Sequence, residues 1–218
     1  MSVPEENRTA PDSPGALPVD RIEAFSDGVF GVALTLLVLD LHVPHGLGSE
    51  HAIWDALRGI LLSFFDCIIN FTFVLTIWIN HHYFFHELAR GSRVLLWLNG
   101  LLLLSVTFLP FPTSMLAEYP NFMAPEAVLS ATMLVGCLTW IAMRIYASNR
   151  VGLLHRNVSP ARHRSVMTRS VVGAGLYAVA LVLSFVSANA AMGVQFVTLT
   201  MFIAEPEWLC HSAGRGGV

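Results

Sequence analysis

Apolar residues along this chain fall in long runs separated by short polar connections. Runs able to cross ~30 Å of hydrocarbon lie at residues 21–43, 53–85, 93–116, 125–148, 166–188 and 190–209. This pattern predicts an all-α, polytopic membrane protein with six transmembrane helices. Turn-formers mark the breaks, with Pro44, Gly46 and Gly48 after the first run and Pro120 and Pro125 around the third connection. The first 20 residues contain four Pro and no apolar core, so they read as a disordered cytoplasmic tail and not a signal peptide. Residues 21–209 then form the transmembrane domain, and 210–218 a short C-terminal tail.

Charge gives the pattern an orientation. The connection between runs four and five holds Arg150, Arg156, Arg162 and Arg164, flanked by Arg144 and Arg169, and no acid. By the positive-inside rule it is cytoplasmic. The connections at 44–52 and 117–124 lack Arg and carry Glu50 and Glu118, as outside loops should. Six crossings leave both termini in the cytoplasm of a multi-pass cell-membrane protein. Composition agrees: 55% of the residues are apolar and 12% charged, too greasy for one soluble core. The net charge of -3 matters less than the side on which each charge lies, and no nucleic-acid partner is expected. Cys67, Cys137 and Cys210 are too few and scattered for a disulfide framework and read as small free hydrophobes.

In the first run, Asp20 with Glu23 three residues on is an Asp variant of a capping box, which starts the helix at Arg21. The helix should stop before Pro44. Two acids, Asp27 and Asp40, bracket the uncharged residues 28–39, only about 18 Å of helix. At least one carboxylate therefore sits at hydrocarbon depth, where lipid exposure is costly. Asp40 suits the outer boundary; Asp27 needs a protein or water partner, with Arg21, Ser26 and polar groups on the next helices as candidates. Gly28, Gly31 and Thr35 form one narrow stripe, and Val32, Leu36 and Leu39 fall in the sector beside it. Small residues admit a close helix neighbour. Spacing alone does not separate a pore lining from a bundle core.

Run two is polar for a span: Ser63, Asp66 and Asn70 share one face, which must look inward. Trp78 and Tyr83 near its end suit a membrane interface. His82 and His86, one turn apart, have the spacing of metal ligands, and the HHxxxH spelling over His81, His82 and His86 is similar to one box of membrane di-iron desaturases. His42, His45 and His51 lie on the opposite side by this topology, and neither His155 nor His163 stands in a second box. A packing role is therefore preferred, with no resident metal or cofactor; a His-box membrane metalloenzyme is the alternative. In run three Asn99 stands among leucines as an interhelical hydrogen-bonding group, and Pro110 and Pro112 should bend or end the helix. Runs four to six read as a lipid-facing outer layer without chemistry of their own.

Arg21-x-x-x-Phe25-Ser26-Asp27-Gly28, then Thr35-Leu36-Leu37, Trp78-x-Asn80-His81-His82, Asn99 and the FLPFPT stretch at 108–113 together resemble the transmembrane protein 175 family, lysosomal potassium channels and their prokaryotic homologues. The resemblance covers runs one to three closely and the rest by topology. It implies a potassium-selective or weakly selective cation channel, not an enzyme, without the TVGYG carbonyl filter that this sequence indeed lacks. The first helix would line a central pore, with Val32, Leu36 and Leu39 as the apolar constriction and Thr35 as the selectivity hydroxyl. Val32 replaces the larger Ile frequent in the family, so the narrowest ring is of altered width. Arg21, Phe25, Ser26, Asp27, Trp78, His81 and Asn99 would form a polar network tying that helix to its neighbours. Asp40 and Glu50 near the mouths would concentrate cations. Animal members carry two repeats and work as dimers; one repeat here implies a homotetramer in the lipid bilayer, with potassium ions as the permeant species.

Overall fold

The computed structural model describes residues 18–39, 41, 45–120, 122–155 and 158–204; the side chains of Leu62, Ser63 and Asp66 also lie outside the description. The expectations for both tails, for Asp40, and for the stripe through Ser63 and Asp66 therefore fall outside the described residues. What is described is all-helical: α1 Val19–Leu39, α2 Glu50–His86, α3 Arg93–Phe108, α4 Pro110–Glu118, α5 Met123–Asn149, α6 Pro160–Ser184 and α7 Ala188–Ala204. Four stretches are long and apolar enough to cross a membrane: 19–39, 93–118, 123–149 and 160–184. The apolar α7 has 17 residues, and α2 has 37, about 55 Å at 1.5 Å per residue.

Local chemistry explains the ends and corrects some of the expected ones. α1 begins at Val19, so Asp20 lies in its first turn instead of capping it. Ser49 caps α2 by accepting from the Ala52 amide (3.2 Å), and Ser92 caps α3 from the Leu95 amide (3.2 Å). α6 starts at Pro160, not at 166, because Pro at the first turn loses no hydrogen bond, and the helix carries Arg162 and Arg164 before its apolar part begins. The prolines interrupt run three at Leu109 without ending the span. Leu109 N bonds back to Val106 O (3.2 Å), the acceptor that the missing Pro110 amide leaves open, and Thr113 resumes the helix by donating its amide to Leu109 O (3.3 Å) and its hydroxyl to the Leu109 and Pro110 carbonyls (3.0 Å each).

Two apolar clusters hold the helices together. Phe30, Ala33 and Leu37 of α1 pack with Phe73 and Val74 of α2 and with Leu103 and Val106 of α3. Towards the other end, Ile22 joins Phe84, Phe85, Leu95 and Leu102, together with Trp140 and Met143 of α5. At that end the α2–α3 and α5–α6 connections meet: Ala89 N donates to Leu153 O (2.8 Å) and His155 N to Glu87 O (2.9 Å). Beneath them the buried Glu87 pairs with Arg144 (3.1 Å) and Arg162 (3.4 Å). The Arg144 guanidinium also lies over the Phe84 and Trp140 rings, 5.2 and 5.7 Å from their centroids. Both connections thus share one end, as the alternating topology requires.

The outer layer is not devoid of polar groups. Glu126 and Ser130 of α5 are fully buried, and Gln195 of α7 donates to both through one amide nitrogen, at 3.1 Å to Ser130. Hydrophobic spacing misses this cluster because Gln195 lies 65 residues beyond Ser130 and on another helix.

Candidate functional site

α1 divides lengthwise. Ile22, Ser26, Phe30, Ala33 and Leu37 are buried, at steps of three or four residues that keep them on one side. Arg21, Phe25, Gly28, Gly31, Val32, Thr35, Leu36 and Leu39 are exposed. At 100° per residue these lie on the far side of the helix axis. The three apolar residues expected at the constriction are thus together, Val32 at 56%, Leu36 at 40% and Leu39 at 69% exposure. A Cβ built on Gly28 or Gly31 meets nothing within 4 Å. Among the described residues, then, no helix of the chain packs closely on the small-residue stripe.

The buried side carries a polar chain that ends at His81, whose Nδ1 has no hydrogen-bond partner among the described residues. Asn99 of α3 donates from Nδ2 to Ser26 Oγ (2.9 Å), and Ser26 passes its own proton to Ile22 O (2.8 Å). Asn99 Oδ1 accepts from His81 Nε2 of α2 (2.8 Å); the carbonyl only accepts, so the proton is on that nitrogen. Ser26, His81 and Asn99 are all buried to 1% exposure or less. His81 is wedged between Phe85, stacked at 4.3 Å, and Phe30, edge-on at 5.3 Å. Three helices are thereby pinned at one point.

Asp27 sits at the border of the two faces and takes its hydrogen bond from Trp78 Nε1 of α2 at 2.8 Å. This is the partner that its depth demanded. Ser26, Asp27, Trp78, His81 and Asn99 are thus brought together by α1, α2 and α3. Arg21 and Phe25 are not: both are exposed, and they project about 140° and 100° away from Ser26 around the helix. They share the sector of Val32, Leu36 and Leu39 instead.

One turn before Asp27, Glu23 faces α2 as well. Its carboxylate lies 2.9 Å from His82 Nδ1 and 3.9 Å from His86 Nε2. Glu23 therefore closes no capping box. The sequence names both histidines but not this acid, since a contact across about sixty positions leaves no local signal. At the opposite end of α2, Glu50 lies in the first turn, and the exposed Asp55 pairs with His51 (2.9 Å) and Arg58 (3.1 Å).

Thr35 donates its hydroxyl proton to Val32 O (2.8 Å). That bond uses the donor and leaves the oxygen lone pairs facing the open side, so the group can only accept, or ligate a cation.

Comparisons bear on what this arrangement serves. Residues 21–110, the stretch that carries the polar chain, match the family model described as the endosomal/lysosomal potassium channel TMEM175. A potassium channel of Chamaesiphon minutus is 36% identical over 197 residues, covering 88% of this chain and 96% of its own length. A potassium channel of Streptomyces collinus is 36% identical over 172 residues, covering 77% and 83%. The crystal structure of a lysosomal potassium-selective channel TMEM175 homologue from Chamaesiphon minutus is similar with a TM-score of 0.72 at 34% identity, over 85% of this chain and 96% of that one. Each of these relatives is named as an ion channel.

Proposed function

Because this chain belongs to the TMEM175 family of ion channels, we propose that it is a multi-pass membrane protein that conducts potassium ions through a pore lined by α1 in four copies. The observation that carries the reading is the open face of α1. A helix fixed to its own chain on one side leaves Gly28, Gly31, Val32, Thr35, Leu36 and Leu39 exposed on the other, with no described atom opposite either glycine. Lipid has no use for a stripe of glycines and a hydroxyl, whereas a close neighbouring copy of the same helix does. Six spans follow when α3 and α4 count as one and α2 and α7 each cross. Both termini are then cytoplasmic, and the transmembrane domain extends over 21–209.

In this assembly Val32, Leu36 and Leu39 form stacked apolar rings. Narrow rings exclude water and block; slightly wider ones pass a partly hydrated ion, so a small rotation of α1 gates conduction. Thr35, presenting lone pairs beside these rings, favours potassium by replacing part of its hydration shell. The Ser26–Asn99–His81 chain and the Trp78–Asp27 bond set the rotation of α1 from the side away from the ions. Glu50 and Asp40, the acids expected near the mouths, raise the local cation concentration. The metalloenzyme alternative gives way to the channel reading, since the family and its relatives are channels.

Reconstituted protein in liposomes tests this. Potassium efflux should exceed sodium efflux, and Leu36→Ala with Leu39→Ala should raise the flux. No potassium flux, or rates and preference unchanged in the variants, overturns the assignment of the pore to α1.

A further inference from the structure

We propose that Glu23, His82 and His86 form a binding site for a divalent transition metal of Zn2+ type that bridges α1 and α2. The three side chains offer one ligand atom each within 4.8 Å of one another. His82 and His86 stand one turn apart, with their Nε2 atoms 3.2 Å apart. Zinc bonds of ~2.0–2.1 Å in a tetrahedron set neighbouring ligand atoms about 3.3 Å apart, so this pair already has the required edge. Glu23 Oε1 lies 3.9 Å from His86 Nε2, and since the three ligand atoms are within 4.8 Å of one another, the carboxylate reaches the same spacing with a shift of at most about 1.5 Å.

Two further observations point to a ligand. Glu23 and His82 are not committed to each other, since the carboxylate lies 2.9 Å from the buried His82 Nδ1 with no hydrogen bond joining them, while Nε2 of the same ring faces His86 and is the nitrogen left for the ion. The His82 ring is also held in place: it stacks on Trp78 at 5.5 Å, and Trp78 is anchored by its bond to Asp27. Metal-binding imidazoles are commonly oriented by such supporting contacts.

The donor set selects the metal. Two imidazoles and one carboxylate suit Zn2+, Co2+ or Ni2+; Mg2+ and Ca2+ prefer oxygen alone. Access is open, because the His86 side chain is 62% exposed and a polar cavity lined by Asp20, Glu23, His86 and His155 adjoins the cluster. Water from that cavity supplies the fourth position. The His51–Asp55 pair at the other end of α2 is a natural control, since it lies on a single helix beside the cationic Arg58.

The test is a Co2+ titration of full-length protein freed of any polyhistidine tag, in lipid nanodiscs, followed by d–d absorption. Expected is one Co2+ per chain with the strong absorption of a four- or five-coordinate site, displaced by Zn2+. Glu23→Gln and His86→Ala should each weaken binding at least about tenfold, while His51→Ala leaves it unchanged. His86 is mostly exposed, so its variant keeps the fold, which size-exclusion elution verifies. Equal binding in both variants, or only the weak absorption of hydrated Co2+, overturns the site. The readout involves no ion flux, so its failure leaves the channel reading standing, and failure of that reading leaves the site standing.

Discussion

The inner face of α1 meets α2 and α3 through Ile22, Ser26, Phe30, Ala33 and Leu37, all buried, whereas its outer face, Gly28, Gly31, Val32, Thr35, Leu36 and Leu39, is exposed, and among the described residues no atom opposes a Cβ at either glycine. The inner face is explained by the fold alone: its apolar residues fill a core, and its one hydroxyl is bonded on both sides. Nothing in a single chain explains the outer face. Two glycines weaken a helix, and a hydroxyl gains nothing from lipid. On the proposed reading the inner face serves stability and the outer face assembly and ions, and each assignment can be broken separately.

The largest effect should come from Phe30→Ala. Phe30 is 1% exposed and supports the edge of His81. The cavity left behind costs about 2–4 kcal/mol even though the unfolded helices remain in lipid, because the lost term is packing and not only transfer. The thermal unfolding midpoint of the purified protein should fall by many degrees, while that of Leu36→Ala barely moves. Equal midpoints for the two variants would erase the distinction between the faces.

Gly31→Leu attacks the other side. No atom of the chain opposes the new side chain, so the single chain should keep its secondary structure while the close approach between copies is lost. An overpacked contact costs about 1–3 kcal/mol, and the mass measured by light scattering should drop below that of a tetramer. A fully assembled, conducting variant would show that Gly31 faces lipid. A smaller, more selective effect is expected for Thr35→Val, which keeps the shape and removes the oxygen. The ratio of potassium to sodium permeability, read from reversal potentials, should fall by about tenfold, or 1.4 kcal/mol, with assembly and melting unchanged.

How much of this was legible in the sequence depends on distance along the chain. The all-helical class comes from hydropathy, and the helices from Arg93 onward keep close to the expected runs, except that α6 begins early, carrying Arg162 and Arg164, and ends at Ser184 instead of 188. The Val32, Leu36 and Leu39 sector came from helical spacing, a local property. Asp27 was readable as needing a partner, because its depth is set by its own helix; the family resemblance placed Trp78 in the same network but did not single it out as that partner. Arg21 and Phe25 were misassigned to the inner network because a shared motif string says nothing about which side of the helix each residue occupies. Glu23 beside His82, Glu87 beneath Arg144, and Glu126 beside Gln195 stayed hidden. Each pairs residues of different helices, and one sequence contains no covariation to connect them.

The smallest expected effect concerns the border between the faces. Trp78→Phe keeps an aromatic ring to stack on His82 and deletes the Nε1–H that donates to Asp27. A hydrogen bond to a carboxylate contributes about 1.5–3 kcal/mol. Asp27 is only partly buried, so water can replace the lost donor and the net cost should be nearer 1 kcal/mol. Asp27→Asn retains an oxygen that accepts from Trp78 and should cost less still. The two variants therefore rank the same way in unfolding midpoint whichever face Asp27 serves, and stability alone does not place it. Conductance does. If the bond sets the rotation of α1, then Trp78→Phe should change the fraction of time the channel is open far more than its small destabilisation accounts for, and Asp27→Asn should change it in the same direction but less. If open time follows stability, with Phe30→Ala altering it most, Trp78 and Asp27 belong with the inner face as packing, and the rotation of the pore helix must be set elsewhere.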